Sequence, residues 1–219
     1  MNDQLILEFP SRQAYKKEDF YVSPSNREAY DFINSWPRWI KRIVNVFGPS
    51  GSGKSHLVSI LKNKTSCLQI NSNELNEKIF LRYKTKEALI IENLDEKISE
   101  DLLFTLWNIA LQDNKYLMIT SKKSIASYKF KLTDLISRVK SSLIIGINLP
   151  SDDLISAILA KNFSDKQIKI EKKHIDYIIK RIDRSYEKIS QFILTLDKYS
   201  LKKGSPFSLK LIKEVLKVI

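Results

Sequence analysis

The sequence predicts an α/β fold: a parallel five-stranded sheet flanked by helices, followed by a small all-helical lid. Short apolar runs alternate with segments of helical spacing up to Pro150, as is typical of a parallel sheet covered on both faces. Beyond Pro150 only helical spacing remains. A glycine-rich stretch, GPSGSGKS, follows the first apolar run and opens a helix. The predicted parts are an N-terminal tail (1–12), an α/β base (13–150) and a lid (151–219).

Each element has its own signal in the chain. The predicted strands are IVNVF (43–47), CLQIN (67–71), ALII (88–91), YLMIT (116–120) and LIIGIN (143–148). Apolar residues at helical spacing predict helices over 24–35, 55–61, 100–113 and 132–140. In the lid, one helix is expected to begin near Ser151, and apolar stripes over 175–182, 186–196 and 212–219 predict three more.

Composition narrows the class of protein. A single cysteine, Cys67, excludes an internal disulfide framework. There is no apolar run of membrane-spanning length and no basic signal region at the N-terminus, so we expect a cytoplasmic protein without a membrane partner. The net charge is +12, but the lysines are spread along the chain and form no cluster with aromatic residues. Direct DNA binding is therefore expected to be weak or absent.

The stretch from Gly48 to Ser55 matches G-x-x-x-x-G-K-[ST] in full. Glycines allow a tight turn whose backbone N–H groups point inward, and the start of the following helix adds positive charge. Lys54 is expected to reach the β- and γ-phosphates, and the Ser55 hydroxyl to ligate Mg²⁺. The sequence thus predicts binding of ADP or ATP with Mg²⁺. The predicted phosphate-binding residues are Gly48, Pro49, Ser50, Gly51, Ser52, Gly53, Lys54 and Ser55.

A second metal-directed residue follows the apolar run ALII. Glu92 lies at the end of that predicted strand, the place of a Walker B acid, and is expected to hold Mg²⁺ together with Ser55. Hydrolysing enzymes of this type usually carry another acid beside it, but here the next residue is Asn93. An amide accepts no proton, so intrinsic ATP hydrolysis is expected to be weak or absent. Asp95, two residues on, is the alternative acid.

Three segments resemble the AAA+ module of DnaA-type replication initiators: NVFGPSGSGKSHL, LTDLISRVKSSLIIGINLPSDD and RSYEKISQFI. The resemblance spans roughly residues 15–219 and implies an AAA+ fold. It implies an arginine finger at Arg138 and a sensor II arginine at Arg184, and it extends the nucleotide-binding stretch to His56. Thr120 and Ser121 fall at the sensor I position, followed by Lys122 where initiators usually have an acid.

Within this family the chain is most similar to Hda-type regulators, which inactivate the initiator. It is expected to lack the helix-turn-helix domain of an initiator, because it ends at Ile219. The run ENLD, residues 92–95, also matches the E-x-x-D form of Walker B found in the alphaproteobacterial members.

The N-terminal tail carries QLILEF, residues 4–9. By the same resemblance it fits a sliding-clamp peptide, an extended segment that places apolar anchors in a preformed pocket. The implied contact residues are Gln4, Leu5, Leu7 and Phe9. An edge strand of the core sheet is the alternative for this segment.

Together these features imply a regulator that binds the sliding clamp and presents Arg138 to ATP on the DnaA initiator. It would then stimulate hydrolysis in trans, and it could also assemble as a homodimer. A helicase loader or DNA-binding recruitment adaptor is the alternative function, and it predicts salt-sensitive DNA binding without the clamp.

Overall fold

The computed structural model describes residues 20–165, 168, 170–203 and 208–219. Its base contains helices and strands in alternation: α1 (Arg27–Asn34), β1 (Ile43–Phe47), α2 (Lys54–Lys62), β2 (Cys67–Asn71), α3 (Lys78–Lys84), β3 (Ala88–Leu94), α4 (Glu100–Gln112), β4 (Tyr116–Ser121), α5 (Thr133–Ser141) and β5 (Leu143–Gly146). The lid contains α6 (Asp152–Asp165), α7 (Lys172–Ile179), α8 (Tyr186–Lys203) and α9 (Leu209–Leu216).

The five strands form one parallel sheet in the order β2-β3-β4-β1-β5, which confirms the predicted fold class. Strands β4 and β1 lie in the interior of the sheet, and four of the five residues of β1 are buried. Because all strands run the same way, the segments that follow β1, β3 and β4 meet at one edge of the sheet. That edge carries GPSGSGKS, Glu92 and Lys122.

Helices cover both faces of the sheet. One core lies under α3, α4 and α5, with Leu103, Leu106 and Trp107 of α4 at its centre. The other lies under α1 and α2 and includes Ile33 and Leu57. The buried positions match the predicted helical spacing, because a helix packed on a sheet can bury only one stripe of side chains.

Three elements of the base differ from the prediction, one of them β5, which ends at Gly146 and not at residue 148. Strand β3 continues three residues past Ile91, to Leu94, through an irregularity at which Asn93 has a φ of 57°. Helix α3 was not predicted, since its seven residues span only two turns. It is fixed by burial of Ile79 and Tyr83 against the sheet, which the short apolar pattern did not reveal.

The lid has the four helices that the spacing predicted. Their apolar stripes meet in a separate core that includes Leu159, Ile178, Phe192 and Ile212. Among the described residues, no helix is both long enough and apolar enough to cross a bilayer.

Candidate nucleotide-binding site

The loop from Gly48 to Gly53 joins β1 to α2 and lies at the carboxyl edge of the sheet. Gly51 and Gly53 have φ values of +77° and +90°, a region that side chains with a Cβ rarely adopt. A Cβ on Gly53 would also lie 2.9 Å from a ring carbon of Phe20. The glycines are therefore needed for the shape of the loop itself.

The loop has backbone N–H groups that could donate to an anion. Among the described residues, none accepts a backbone hydrogen bond from the N–H of Gly51, Gly53 or Lys54. Helix α2 begins at Lys54, so the positive end of its dipole faces the same place. Free N–H groups at a helix start are a recurrent phosphate-binding arrangement.

Lys54 is folded over the loop and is only 8% exposed. Its Nζ donates to the carbonyl oxygens of Gly48 and Pro49 at 2.7 and 2.8 Å. Burial lowers the pKa of Lys54 to about 8; the charge of Lys122 lowers this pKa further, and Glu92 opposes the shift. The ammonium group has three N–H donors, so it could donate to phosphate oxygens in place of these carbonyls.

Glu92 and Ser55 come together as the sequence predicted. The Ser55 hydroxyl donates to Glu92 Oε2 at 2.7 Å, and the Gln69 amide donates to the other carboxylate oxygen. Within the described part of the chain, no group of three or more His, Cys, Asp and Glu side chains could form a metal site alone. One carboxylate and one hydroxyl fit Mg²⁺, which is usually held by few protein ligands and completed by phosphates and water.

The backbone conformation at residue 93 favours an asparagine there. Its left-handed φ of 57° is tolerated by asparagine better than by most residues. Its N–H donates to Thr120 Oγ1 at 3.2 Å, and its carbonyl accepts from the Ser72 hydroxyl at 2.9 Å. The side chain is exposed.

Strand β4 joins this site through Ser121. The Ser121 carbonyl accepts from the Gly48 N–H at 3.1 Å, and the Ser121 hydroxyl accepts from Asn45 at 2.9 Å. The buried Asn45 side chain also accepts from the Ile125 N–H at 3.0 Å. These bonds fix the end of β4 against the start of the loop, and Thr120 lies beside Asn93 as described above.

The sequence did not predict the ring contacts beside the loop. The Phe20 ring packs edge-on against His56 at 5.2 Å and stacks on Tyr30 at 5.4 Å. Phe20 ends a charged stretch without periodicity, so no sequence pattern marked it. His56 is buried on α2, on the Phe20 side of the loop.

Helix α8 of the lid approaches the loop on its other side. A Cβ on Gly51 would lie 3.1 Å from Tyr186 Cβ, and the Tyr186 hydroxyl donates to the Asn148 carbonyl at 3.2 Å. A cavity of about 620 Å³ lies beside this contact, between the loop and α8, and is lined by Ser50, Gly51, Glu187, Ser190, Gln191, Leu194, Thr195 and Lys198. Arg184 is not among these residues. Its guanidinium pairs with Asp152 at 3.0 Å, with more than half of each side chain exposed, so a role for Arg184 in sensing nucleotide stays a prediction.

The remaining predicted residues are Arg138 and the N-terminal peptide. Arg138 is exposed in the last turn of α5, and its side chain makes no ion pair or hydrogen bond with any residue that the structure describes. The predicted clamp-binding residues lie outside the described residues: Gln4, Leu5, Leu7 and Phe9.

Comparison with known proteins agrees with this fold. No family model matches the chain. The DnaA chromosomal replication initiator of Borrelia garinii subsp. bavariensis is 25% identical over an alignment covering 95% of this chain and 48% of the relative. The chain thus spans about half the length of the curated relatives it matches.

Two solved structures show the same architecture. Domain III of DnaA from Thermotoga maritima superposes with a TM-score of 0.79 at 19% identity, covering 95% of this chain and 98% of that one. A replication initiator DnaA bound to AMPPCP and single-stranded DNA superposes with a TM-score of 0.71 at 16% identity, covering 87% of this chain and 68% of that one. The chain is therefore similar to DnaA initiators in sequence and to domain III of DnaA in fold.

Proposed function

We propose that this protein is a nucleotide-binding regulator of chromosome replication initiation, of the Hda type. It would bind the sliding clamp through its N-terminal tail and stimulate hydrolysis of ATP held by the DnaA initiator. The observation that carries the proposal is the position of Arg138, which is exposed at the sheet edge opposite the chain's own phosphate-binding loop.

That position follows from the strand register. Leu143, the first residue of β5, pairs with Val44 near the start of β1, whereas the loop follows Phe47 at the end of β1. Helix α5 leads into β5, so its last turn, with Arg138, lies toward the amino edge of the sheet. An arginine there cannot reach the chain's own nucleotide, but it can stabilise charge on a γ-phosphate held by a neighbouring molecule.

The chain's own site supports binding of ADP or ATP with Mg²⁺. The buried Lys54, the unoccupied N–H groups of the loop and the Ser55–Glu92 pair are the parts that such a ligand needs. AMPPCP in the structure of a replication initiator DnaA is consistent with this ligand class. With Asn93 beside Glu92, we expect the isolated protein to hydrolyse ATP slowly.

The arginine-finger assignment can be tested with ATP-loaded initiator, loaded clamp and this protein. Removing the Arg138 guanidinium by Arg138→Ala should slow hydrolysis of initiator-bound ATP by about 10³-fold or more. Lys140→Ala is the matched control, because Lys140 is also exposed in the last turn of α5. Equal hydrolysis with wild type and Arg138→Ala would contradict the assignment.

The clamp assignment can be tested by pull-down on purified sliding clamp. Gln4→Ala and Phe9→Ala should each abolish capture, since one removes the polar anchor and the other an apolar anchor. Ser11→Ala, in the same tail but outside the hexapeptide, should bind like wild type, and nucleotide affinity should be unchanged in all three variants. Capture that is indifferent to Gln4 and Phe9 would rule out the peptide.

One surface favours the alternative of a DNA-binding adaptor. A cleft of about 1010 Å³ at the amino edge of the sheet is lined by five basic residues, Arg42, Lys64, Lys84, Lys86 and Lys115, against the acidic Glu87 and Asp113. Four of these cations already donate to the chain: Arg42 to the Asn114 carbonyl, Lys64 to Asn34, Lys115 to the Lys86 carbonyl and, at the long distance of 3.5 Å, Lys86 to the Ser66 hydroxyl. The carboxyl-terminal ends of the helices lie at this edge, and their carbonyl groups attract cations. Contacts within the chain therefore account for much of the positive charge in the cleft.

Lys84 and Lys86 are the members of this cleft best placed to contact a phosphate backbone. If the adaptor function holds, Lys84→Glu with Lys86→Glu should weaken clamp-independent DNA binding and reduce its dependence on salt. Lys180→Glu with Lys217→Glu makes the same charge change on exposed residues of the lid and is the control. No difference between the two double variants would exclude this cleft as the DNA site.

A further inference from the structure

Helix α2 and the neighbouring strands β2 and β3 share a ring of side-chain hydrogen bonds beside the phosphate-binding loop. Ser55, in the first turn of α2, donates to Glu92 Oε2 at 2.7 Å. The Gln69 amide of β2 donates to Glu92 Oε1. Lys62, in the last turn of α2, donates to Gln69 Oε1 at 2.6 Å. The contacts therefore lead from one end of α2 to the other through both strands.

The strand register explains how Gln69 reaches Glu92. Gln69 pairs with Ile90 on the neighbouring strand β3, and Glu92 lies two residues further along β3. The two side chains are thus on the same face of the sheet, which is the face under α2, since Ile90 belongs to the core under α1 and α2. The apolar Leu68 and Ile70 on either side of Gln69 are buried in the opposite core.

The contact with Lys62 fixes which end of the Gln69 amide faces Glu92. A lysine ammonium only donates hydrogen bonds, so the Gln69 atom that it contacts must be the amide oxygen. The amide nitrogen is then the atom that faces the Glu92 carboxylate, and an ionised carboxylate only accepts. Lys62 therefore holds Gln69 in the orientation in which it donates to Glu92.

Gln69 occupies one oxygen of the Glu92 carboxylate, and the other oxygen remains beside the Ser55 hydroxyl. Ser55 and Glu92 are the two proposed ligands of Mg²⁺. A glutamate side chain has several rotatable bonds, so it loses less conformational freedom on binding a cation when one of its oxygens is already held. Hydrogen bonds of this kind orient metal ligands in many proteins and strengthen metal binding.

We propose that Gln69 is a positioning residue that holds the Glu92 carboxylate for Mg²⁺ and thereby strengthens binding of a nucleotide together with Mg²⁺. This assignment rests on the proposed nucleotide binding. Gln69 acts through Glu92 and is not itself a ligand, because the amide nitrogen that it presents is a hydrogen-bond donor. The edge strand β2 thus contributes to the metal site through a side chain that lies behind the ligands.

The test is the affinity of the full chain for a fluorescent ADP analogue, measured with saturating Mg²⁺ and again in EDTA. The ratio of the two affinities reports how tightly the protein and the bound nucleotide together hold Mg²⁺. Gln69→Leu removes the amide donor and keeps a side chain of similar size. It should lower this ratio about tenfold and leave the affinity in EDTA at the wild-type value.

Two further variants define the range of the measurement. Gln112→Leu is the matched control, because Gln112 is also an exposed glutamine and lies at the end of α4. Its ratio should equal that of the wild type. Glu92→Gln removes the charge of the proposed ligand itself, so its ratio should fall at least as far as that of Gln69→Leu.

The outcomes distinguish the positioning role from nucleotide binding. If Gln69→Leu leaves the ratio at the wild-type value, or weakens binding equally with Mg²⁺ and in EDTA, the role of Gln69 is wrong and nucleotide binding stands. If Gln112→Leu lowers the ratio as much as Gln69→Leu, the effect is not specific to this contact and the assignment also fails. If the wild-type chain binds no nucleotide under either condition, the nucleotide site itself is wrong and both proposals fall.

Discussion

Glu92 and Asn93 are adjacent in the chain, yet their side chains differ in exposure to solvent. Glu92 is buried and held by two side-chain donors, whereas Asn93 is exposed at a left-handed turn of the backbone. The sequence alone suggested a missing catalytic acid at Asn93. The structure adds that this position also constrains the residue type, because the backbone there favours asparagine, aspartate or glycine.

The variant Asn93→Asp distinguishes the effect of the missing acid from the effect of the left-handed backbone. Aspartate tolerates a left-handed φ nearly as well as asparagine, so the variant should fold with little change in melting temperature. It supplies a carboxylate that can orient water, and turnover of ATP by the isolated protein should rise by up to about 100-fold. Steady-state hydrolysis measures this, with Glu92→Gln as an inactive reference. Unchanged turnover would mean that a missing acid is not what limits hydrolysis.

Lys54 makes nucleotide affinity depend on pH. Its pKa of about 8 in the free protein results from burial and Lys122, with Glu92 acting in the opposite direction. A bound phosphate favours the charged ammonium and raises this pKa, so protonated Lys54 binds more tightly than neutral Lys54. Affinity should therefore be constant below about pH 8 and fall by up to about tenfold per pH unit above it.

Titration calorimetry from about pH 7 to about pH 9.5 would measure this decline. This pH range includes the lowered pKa of Lys54 and stays below the ordinary pKa of lysine. Lys54→Ala should bind weakly and show no decline over the same range. A wild-type affinity that does not change above pH 8 would show that the ammonium is not desolvated as the structure implies.

At the scale of elements, helix α4 shows how one periodic pattern fixes both structure and stability. Leu106 is fully buried in the core under the sheet, whereas Leu111 on the same helix is 40% exposed. The spacing of apolar residues was enough to predict which face turns inward. Helix α3, by contrast, has too few turns for a pattern and depends on tertiary contacts of Ile79 and Tyr83.

The two leucines of α4 provide a matched pair for unfolding measurements. Leu106→Ala should lower the free energy of unfolding by about 2–5 kcal/mol, because it removes buried methyl groups and leaves a cavity. Leu111→Ala changes the same residue type on the same helix and should cost less than about 1 kcal/mol. Denaturant unfolding gives both values, and similar losses would contradict the observed packing of α4.

At the scale of the whole molecule, base and lid meet at Tyr186. Its hydroxyl donates to the Asn148 carbonyl, just after β5. The Ser25 carbonyl in turn accepts from the Asn148 N–H at 3.0 Å. Hydrogen bonds thus connect the first segment of the base, the link to the lid and the first residue of α8 beside Gly51.

Tyr186→Phe should weaken this junction without opening a cavity. Losing the hydroxyl should cost about 0.5–1.5 kcal/mol of stability, and nucleotide affinity should fall because α8 is held less firmly against the loop. Tyr177→Phe, on α7 of the lid, is the control, since the Arg181 guanidinium lies over its ring and not its hydroxyl. Unfolding and nucleotide-binding measurements would show the difference, and equal affinities would argue against a role for the network in binding.

The sequence by itself determined the five strands, the helices other than α3, the glycine-rich loop after β1 and the place of Glu92 on β3, because these depend on periodicity and on local backbone chemistry. It could not determine the contacts of Phe20, Gln69 and Tyr186, which join distant segments and leave no periodic signal. Only the tertiary structure brought these side chains to one edge of the sheet. A parallel sheet does this because every strand ends at that edge, whatever the distance along the chain between its residues.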